Sequence, residues 1–264
     1  MESALEWHSA VALLDWQVDL GADEAIGDTP IDRFAVAEEL AANPPAKAKQ
    51  SAPSQPVERK EIDAVEVARQ TAGAAGSLDA LQQAMAGFEH CALKRGARSL
   101  VFADGNPAAR VMILGEAPSR EDDRAGRPFT DRTGALLDRM LSAIGLSRGS
   151  EDPETAVYIT NVLPWRPPQN RDPEAEEIAM MLPFLQKHIE LVSPDVIVLM
   201  GNIACRAALK KQGILRLRGQ WTKAFGIPAL PMVHPENLRQ PHAKRDAWSD
   251  LLSLRAHLNE KAKA

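Results

Sequence analysis

Four short, largely apolar runs dominate this chain beyond residue 110, at residues 111–114, 157–161, 196–200 and 229–233. Runs of four or five residues without polar alternation read as strands buried on both faces. Helical periodicity fills the gaps between them. Strands that alternate with helices build a mainly parallel sheet between helical layers. The expected fold class is therefore α/β, a three-layer α/β/α sandwich around a short, mainly parallel four-stranded sheet. Parallel strands deliver their last residues to one common edge, where ligands bind. Here that edge would receive Glu116 after the first run, Asn161 at the end of the second and His234 after the fourth. A carboxylate, an amide and an imidazole form a minimal kit for reading a flat polar ring and hydrolysing a bond to it.

The intervening periodicity predicts helices over 78–88, over 133–144 and after Asp172-Pro173, and a closing helix over 245–258. In the second, Leu137, Met140, Leu141 and Ile144 share one face. The third would have Asp172 as N-cap and Pro173 in its first turn, with Glu174, Glu176 and Glu177 on the positive helix end. It would bury Ile178, Met181, Leu185 and Ile189. The closing helix would bury Trp248, Leu251, Leu252 and Leu258. Upstream, residues 3–20 read as an amphipathic helix with Trp7, Val11, Leu14 and Val18 on one stripe and Leu13, Trp16 and Leu20 beside it. This helix is expected to dock on the main domain or on a protein partner. Residues 42–76 are rich in Ala, Pro, Ser and Lys and read as a mobile linker with one short helix near 62–70. The expected division is 1–41 acidic helical extension, 42–76 linker and 77–264 catalytic domain.

Charge follows that division. Residues 1–43 hold 10 acidic side chains and a single Arg33, whereas residues 100–264 hold 22 Lys and Arg against 20 Asp and Glu. The net charge of −5 thus resides away from the strand-end residues, and a near-neutral domain can still engage DNA through a local basic strip. No run of about 18 apolar residues exists to span a membrane. Glu2, Glu6, Asp15 and Asp19 interrupt the apolar start, so a signal peptide is not expected and a cytoplasmic (nucleoid) monomer is. Cys91 and Cys205 form neither a disulfide framework nor a Cys-x-x-Cys pair.

Four motifs occur in order: Gly115-Glu116-Ala117-Pro118, Gly126-Arg127-Pro128-Phe129, Asn161 with Arg166-Pro167-Pro168, and His234-Pro235. Together they resemble the uracil-DNA glycosylase superfamily, most closely family 4, over about residues 86–258. The resemblance implies a DNA-repair enzyme that flips uracil out of the stack and hydrolyses its glycosidic bond. It implies that Phe129 stacks on the base and that Asn161 reads its edge, donating to O4 and accepting from N3–H. It gives His234 the role of donating to O2 as charge develops on the leaving base. Glu116 would orient the attacking water and stabilise the sugar cation. Ala117 and Asp122 would line the base pocket, Asp122 standing where the family commonly has Glu near uracil C5. Leu238 would enter the duplex as a wedge, with Arg166, Arg239, Lys244 and Arg245 as DNA contacts. Taken singly, Phe129 also reads as a core residue, Asn161 as a strand-end cap and the basic residues as a solvated face.

The sequence departs from that family at Ser119, where Gly is usual, and at Thr130 and Asp131, where a small apolar residue and Gly are usual. The family also usually holds an iron–sulfur cluster on four cysteines. By motif, those positions are Phe88, Cys91, Trp165 and Met181. A cluster needs four thiolates; three of these four residues supply none. The expectation is therefore a monofunctional glycosylase with no cofactor and no metal, acting on uracil-containing DNA. Two alternatives stand beside it: a glycosylase of the same fold for other deaminated bases, and a non-catalytic protein that binds uracil or abasic sites.

Overall fold

The computed structural model describes residues 11, 13, 14, 16, 17 and 63–261. The chain divides into two compact units, residues 1–60 and 61–264. In the first, the five described residues are helical, and Leu13, Leu14 and Trp16 are exposed. The remainder of the expected 3–20 helix, and the expected linker up to residue 62, lie outside the described residues.

The second unit is built on a six-stranded sheet of order β1-β3-β2-β4-β6-β5. The strands are β1 (Asp104–Gly105), β2 (Val111–Gly115), β3 (Val157–Asn161), β4 (Val196–Met200), β5 (Thr222–Ala224) and β6 (Ile227–Met232). The four expected strands are the central β3, β2, β4 and β6, all mutually parallel. The sheet nonetheless has six strands and not four. Two short antiparallel strands, β1 and β5, close its edges. At two and three residues they are too short to show a period. The β5–β6 hairpin turns through Phe225 and Gly226, both at positive φ (53° and 82°). A two-residue loop with both φ positive is the hairpin turn that Asn-Gly usually signals, and Phe-Gly gives no such signal.

Side chains along the central strands alternate between two apolar layers. Met112, Leu114, Tyr158, Ile197 and Leu199 enter one layer. Val111, Ile113, Val157, Ile159, Val196, Val198, Met200, Leu230 and Met232 enter the other. Helices α1 (Ala64–Gly73), α2 (Leu78–Ala86) and α3 (Leu93–Gly96) precede the sheet; α4 (Arg120–Ala125) and α5 (Arg132–Ser142) follow β2. After β3 comes α6 (Ala175–Val192), then α7 (Asn202–Leu209) and α8 (Ile214–Leu217) after β4, and α9 (Pro241–Lys261) after β6.

Three helices differ in detail from the expectation. The short helix expected near 62–70 is α1, which runs on to Gly73 and is capped by Asp63, which accepts from the Val65 and Glu66 amides. Its buried Ala68 and Ala72 pack in the core against α6. Small residues make that face a weak periodic signal, although they allow close helix approach. Helix α6 begins with Glu174 as N-cap, not Asp172, in a capping box with Glu177. Arg171 forks onto both Glu177 carboxylate oxygens (2.9 and 2.6 Å), which moves the start two residues on. In α9 the buried stripe is Ala247, Leu251, Leu254 and Leu258, while Trp248 and Leu252 are 43% and 48% exposed. Each of those two lies one residue off the stripe. Among the described residues no helix is long and apolar enough to cross a membrane.

Candidate active site

The C-terminal ends of the parallel strands open onto a pocket of about 300 Å³ lined by Glu116, Ala117, Asp122, Phe129, Asn161 and His234 among others. The three strand-end groups expected to converge therefore share one cavity. Each is fixed by its neighbours in a different way.

Asn161 ends β3 beside Gly115, the last residue of β2. It is 7% exposed, and its Nδ2 is buried without a hydrogen-bond partner. An unpaired buried amide costs about 1–3 kcal/mol, so a ligand acceptor at this position would be strongly favoured.

Phe129 is buried and lies in the left-handed region at φ 53°, unusual for a bulky side chain. Its neighbours hold that conformation. Asp122 Oδ1 accepts from the Thr130 amide and hydroxyl, both at 2.7 Å. An Arg148 guanidinium nitrogen donates to the Pro128 carbonyl at 3.1 Å. Gly134 lets the loop lie against α5, since a Cβ there would stand 1.8 Å from the Phe129 carbonyl oxygen. Asp131 caps α5 through the Thr133 and Gly134 amides. The departures at Thr130 and Asp131 are thus structural supports of the aromatic loop.

His234 follows β6 and its ring lies 5.5 Å from that of Phe129, tilted by 32°. Nδ1 accepts a long hydrogen bond from the Glu236 amide at 3.4 Å. Burial lowers the imidazole's pKa against the opposing pull of Glu116, Glu236, Asp131 and Asp122. A neutral ring that accepts at Nδ1 carries its proton on Nε2, leaving that nitrogen as the donor.

Glu116 Oε1 accepts from the Ile203 amide in the first turn of α7 at 3.0 Å. The carboxylate raises the Cys205 thiol, which burial already pushes up, to about 12. Burial is the larger cause.

Two expected site residues are also engaged in the fold. Asp122 lines the pocket, but both its oxygens serve the fold: Oδ1 holds Thr130, and Oδ2 accepts from the Ser119 amide at 3.0 Å. It closes the capping box of α4 with Ser119 and braces the Phe129 loop while lining the pocket. Leu238, expected as a wedge, is 5% exposed and packed in the core. Arg239 beside it is exposed and lines a second groove with Arg132 and Arg139 of α5. Lys244 and Arg245 are exposed in the first turns of α9, away from the pocket lining. Arg166 is half-buried, and its Nε donates to Asn170 Oδ1 at 2.8 Å. Sequence reasoning missed Asn170, Arg171 and Ile203, which complete the pocket wall. It missed Arg132 and Arg139 as well, although their seven-residue spacing on one helix face was a usable signal.

The four positions implied for cluster cysteines are all interior. Phe88, Cys91, Trp165 and Met181 are 3%, 0%, 3% and 1% exposed and belong to one apolar layer. The Phe88 ring meets that of Phe184 edge-on at 5.3 Å. Burial raises the Cys91 thiol, disfavouring a thiolate. Among the described residues no three His, Cys, Asp or Glu side chains are grouped to hold a metal ion. These side chains do not fit a thiolate-bound cluster, and no chemistry is routed through one.

Comparison with known proteins agrees with the geometry. A model of the uracil DNA glycosylase superfamily matches residues 102–252. The chain is 33% identical over 190 residues to the type-4 uracil-DNA glycosylase of Sulfurisphaera tokodaii, covering 68% of this chain and 84% of that protein. Identity to the type-4 uracil-DNA glycosylase of Archaeoglobus fulgidus is 35% over 190 residues, 67% of this chain and 92% of the relative. The type-4 enzyme of Thermotoga maritima is 39% identical over 153 residues, 56% of this chain and 76% of its own length.

Proposed function

The chain belongs to the uracil DNA glycosylase superfamily, and from that premise we propose that it removes uracil from DNA, leaving an abasic site. The flipped base enters the strand-end pocket. Phe129 covers its face. Asn161 donates through Nδ2 to O4 and accepts from N3–H through Oδ1, a pattern that cytosine reverses. As the glycosidic bond breaks, negative charge grows on the base, and the Nε2–H of neutral His234 donates to O2. The sugar becomes cationic, and the Glu116 carboxylate stabilises it and orients the attacking water. Water adds at the sugar carbon, the electron pair of the broken bond leaves with the base, and no covalent enzyme intermediate forms. Every step uses side chains of this chain, so no cofactor enters the scheme.

The observation that carries this reading is the buried, unpartnered Asn161 amide in a pocket shared with Phe129, His234 and Glu116. The DNA strand would meet the exposed Arg239, Lys244 and Arg245. One assay tests the proposal: single-turnover excision on uracil oligonucleotides, single- and double-stranded, beside hypoxanthine and xanthine substrates. Excision of uracil above the purines is expected. Preference for a purine would assign the pocket to another deaminated base, and tight binding without turnover would make the protein a damage-binding module.

A further inference from the structure

The Glu116 carboxylate rests on the start of helix α7, and the residue beneath it is Gly201. That glycine follows β4, caps α7 and adopts φ 98°, ψ −175°, a conformation open essentially to glycine alone. A Cβ at Gly201 would stand 2.2 Å from Glu116 Oε1, 2.7 Å from Cδ and 3.2 Å from Cγ. No real Cβ approaches oxygen so closely, so the missing side chain is the space the carboxylate occupies. The Gly201 amide donates to the Met232 carbonyl at 3.0 Å, which ties this point to the end of β6, two residues before His234. The Ile203 amide, in the first turn of the helix, donates to the same Oε1. Cys205 on the same helix is fully buried and feels the Glu116 charge.

We propose that Gly201 is a positioning residue for the reaction: it sets the location of Glu116, and through the Met232 bond it fixes the distance between Glu116 and His234. This rests on the proposed glycosylase reading. A Cβ at this position would push the carboxylate from the place where it accepts from the Ile203 amide. Displacement by about 1 Å of a group that orients a nucleophile can cost about 100-fold in rate. Neither Gly201 nor Ile203 needs to touch the base or the sugar for this effect.

The test is a double-mutant cycle with Gly201→Ala and Glu116→Ala in the full chain, read by melting and by single-turnover excision. The melting arm requires no activity, so it reports on the contact even if the glycosylase reading fails. Gly201→Ala is expected to lower excision about 100-fold with DNA affinity unchanged. In the Glu116→Ala background it should cost no further rate, and its destabilisation should be smaller because the obstructing side chain is gone. A Gly201→Ala protein that fails to fold while the double variant folds gives the same answer. The proposal is overturned if folded Gly201→Ala excises within about threefold of the parent, or if the two substitutions are additive in both readouts. It is overturned as well if neither Gly201→Ala nor the double variant folds, for then the glycine serves the backbone alone.

Discussion

Gly115 and Asn161 are register partners at the ends of β2 and β3, and a Cβ on Gly115 would stand 2.2 Å from Asn161 Oδ1. The same Cβ would lie 2.7 Å from Phe129 Cε2. One absent side chain therefore leaves room for both the amide proposed to read the base edge and the ring proposed to cover its face. Gly115→Ala should displace both. Excision of uracil is expected to fall by at least about 100-fold, with a melting loss in the range of about 1–3 kcal/mol typical of overpacking. Asn161→Asp isolates the reading function: the protonated acid can donate to cytosine N3 and accept from its N4 amine. The ratio of cytosine to uracil excision should rise, and an unchanged ratio with unchanged uracil activity would remove Asn161 from the pocket.

The two charge-handling groups are predicted to matter more for rate than for folding. Glu116→Ala and His234→Ala should each slow single-turnover excision by about 10²–10³, the usual cost of losing one preorganised electrostatic partner. Both side chains lie at strand ends facing the pocket, outside the apolar layers. Melting curves close to the parent's would therefore accompany the rate loss. Near-normal rates for both variants would refute the assigned chemistry.

How much was legible in the sequence follows from signal strength. The four central strands announce themselves because a strand buried on both faces must be apolar throughout. Glu116, Asn161 and His234 follow from where such strands end. The edge strands left no trace, since two or three half-buried residues carry no period. The bonds of Asp122 and the burial of Leu238 were illegible for a related reason. Position in a motif says where a residue stands along the chain, not which of its atoms are already engaged. The hydrogen bonds of Asp122 to Thr130 and Ser119 depend on the left-handed turn at Phe129, which no local pattern encodes. In the sequence Gly201 reads only as the residue after the 196–200 run. Its proximity to Glu116 is a contact between elements 85 residues apart in the chain and could come only from the fold.

A buried histidine outside the pocket predicts an acid-sensitive fold. His188 of α6 is 2% exposed, stacks on Phe102 at 4.4 Å and bonds the Tyr158 hydroxyl through Nε2 at 2.8 Å. Burial lowers its pKa from 6.5 to about 4. The unfolded chain therefore binds a proton below pH 6.5 that the folded chain refuses until about pH 4. The contribution of His188 to stability is complete above pH 6.5 and declines as pH falls through that window, by roughly 3 kcal/mol in total. Melting temperature should fall over the same range, and in His188→Gln the slope should be shallower. An identical slope in the variant would place the acid sensitivity in the carboxylates instead.

The last prediction concerns iron. A [4Fe–4S] centre requires four thiolates, and the motif-aligned positions here present Phe88, Cys91, Trp165 and Met181. Sulfur beside aromatic rings contributes about 0.3–1.5 kcal/mol per contact. Phe88, Trp165 and Met181 share one apolar layer with Phe184, and the Phe88–Phe184 edge contact gives that layer a fixed geometry. In this chain packing would then do the structural work that a cluster does in the family it resembles. Protein purified anaerobically should be colourless and should lack stoichiometric iron and sulfide. Cys91→Ala gives a second reading, because a thiol that ligates nothing leaves only a methyl-sized void, about 1 kcal/mol in stability. Excision by that variant should match the parent's. Stoichiometric iron and sulfide that are lost in Cys91→Ala would show that Cys91 is a ligand and that the alignment of the other three positions is wrong.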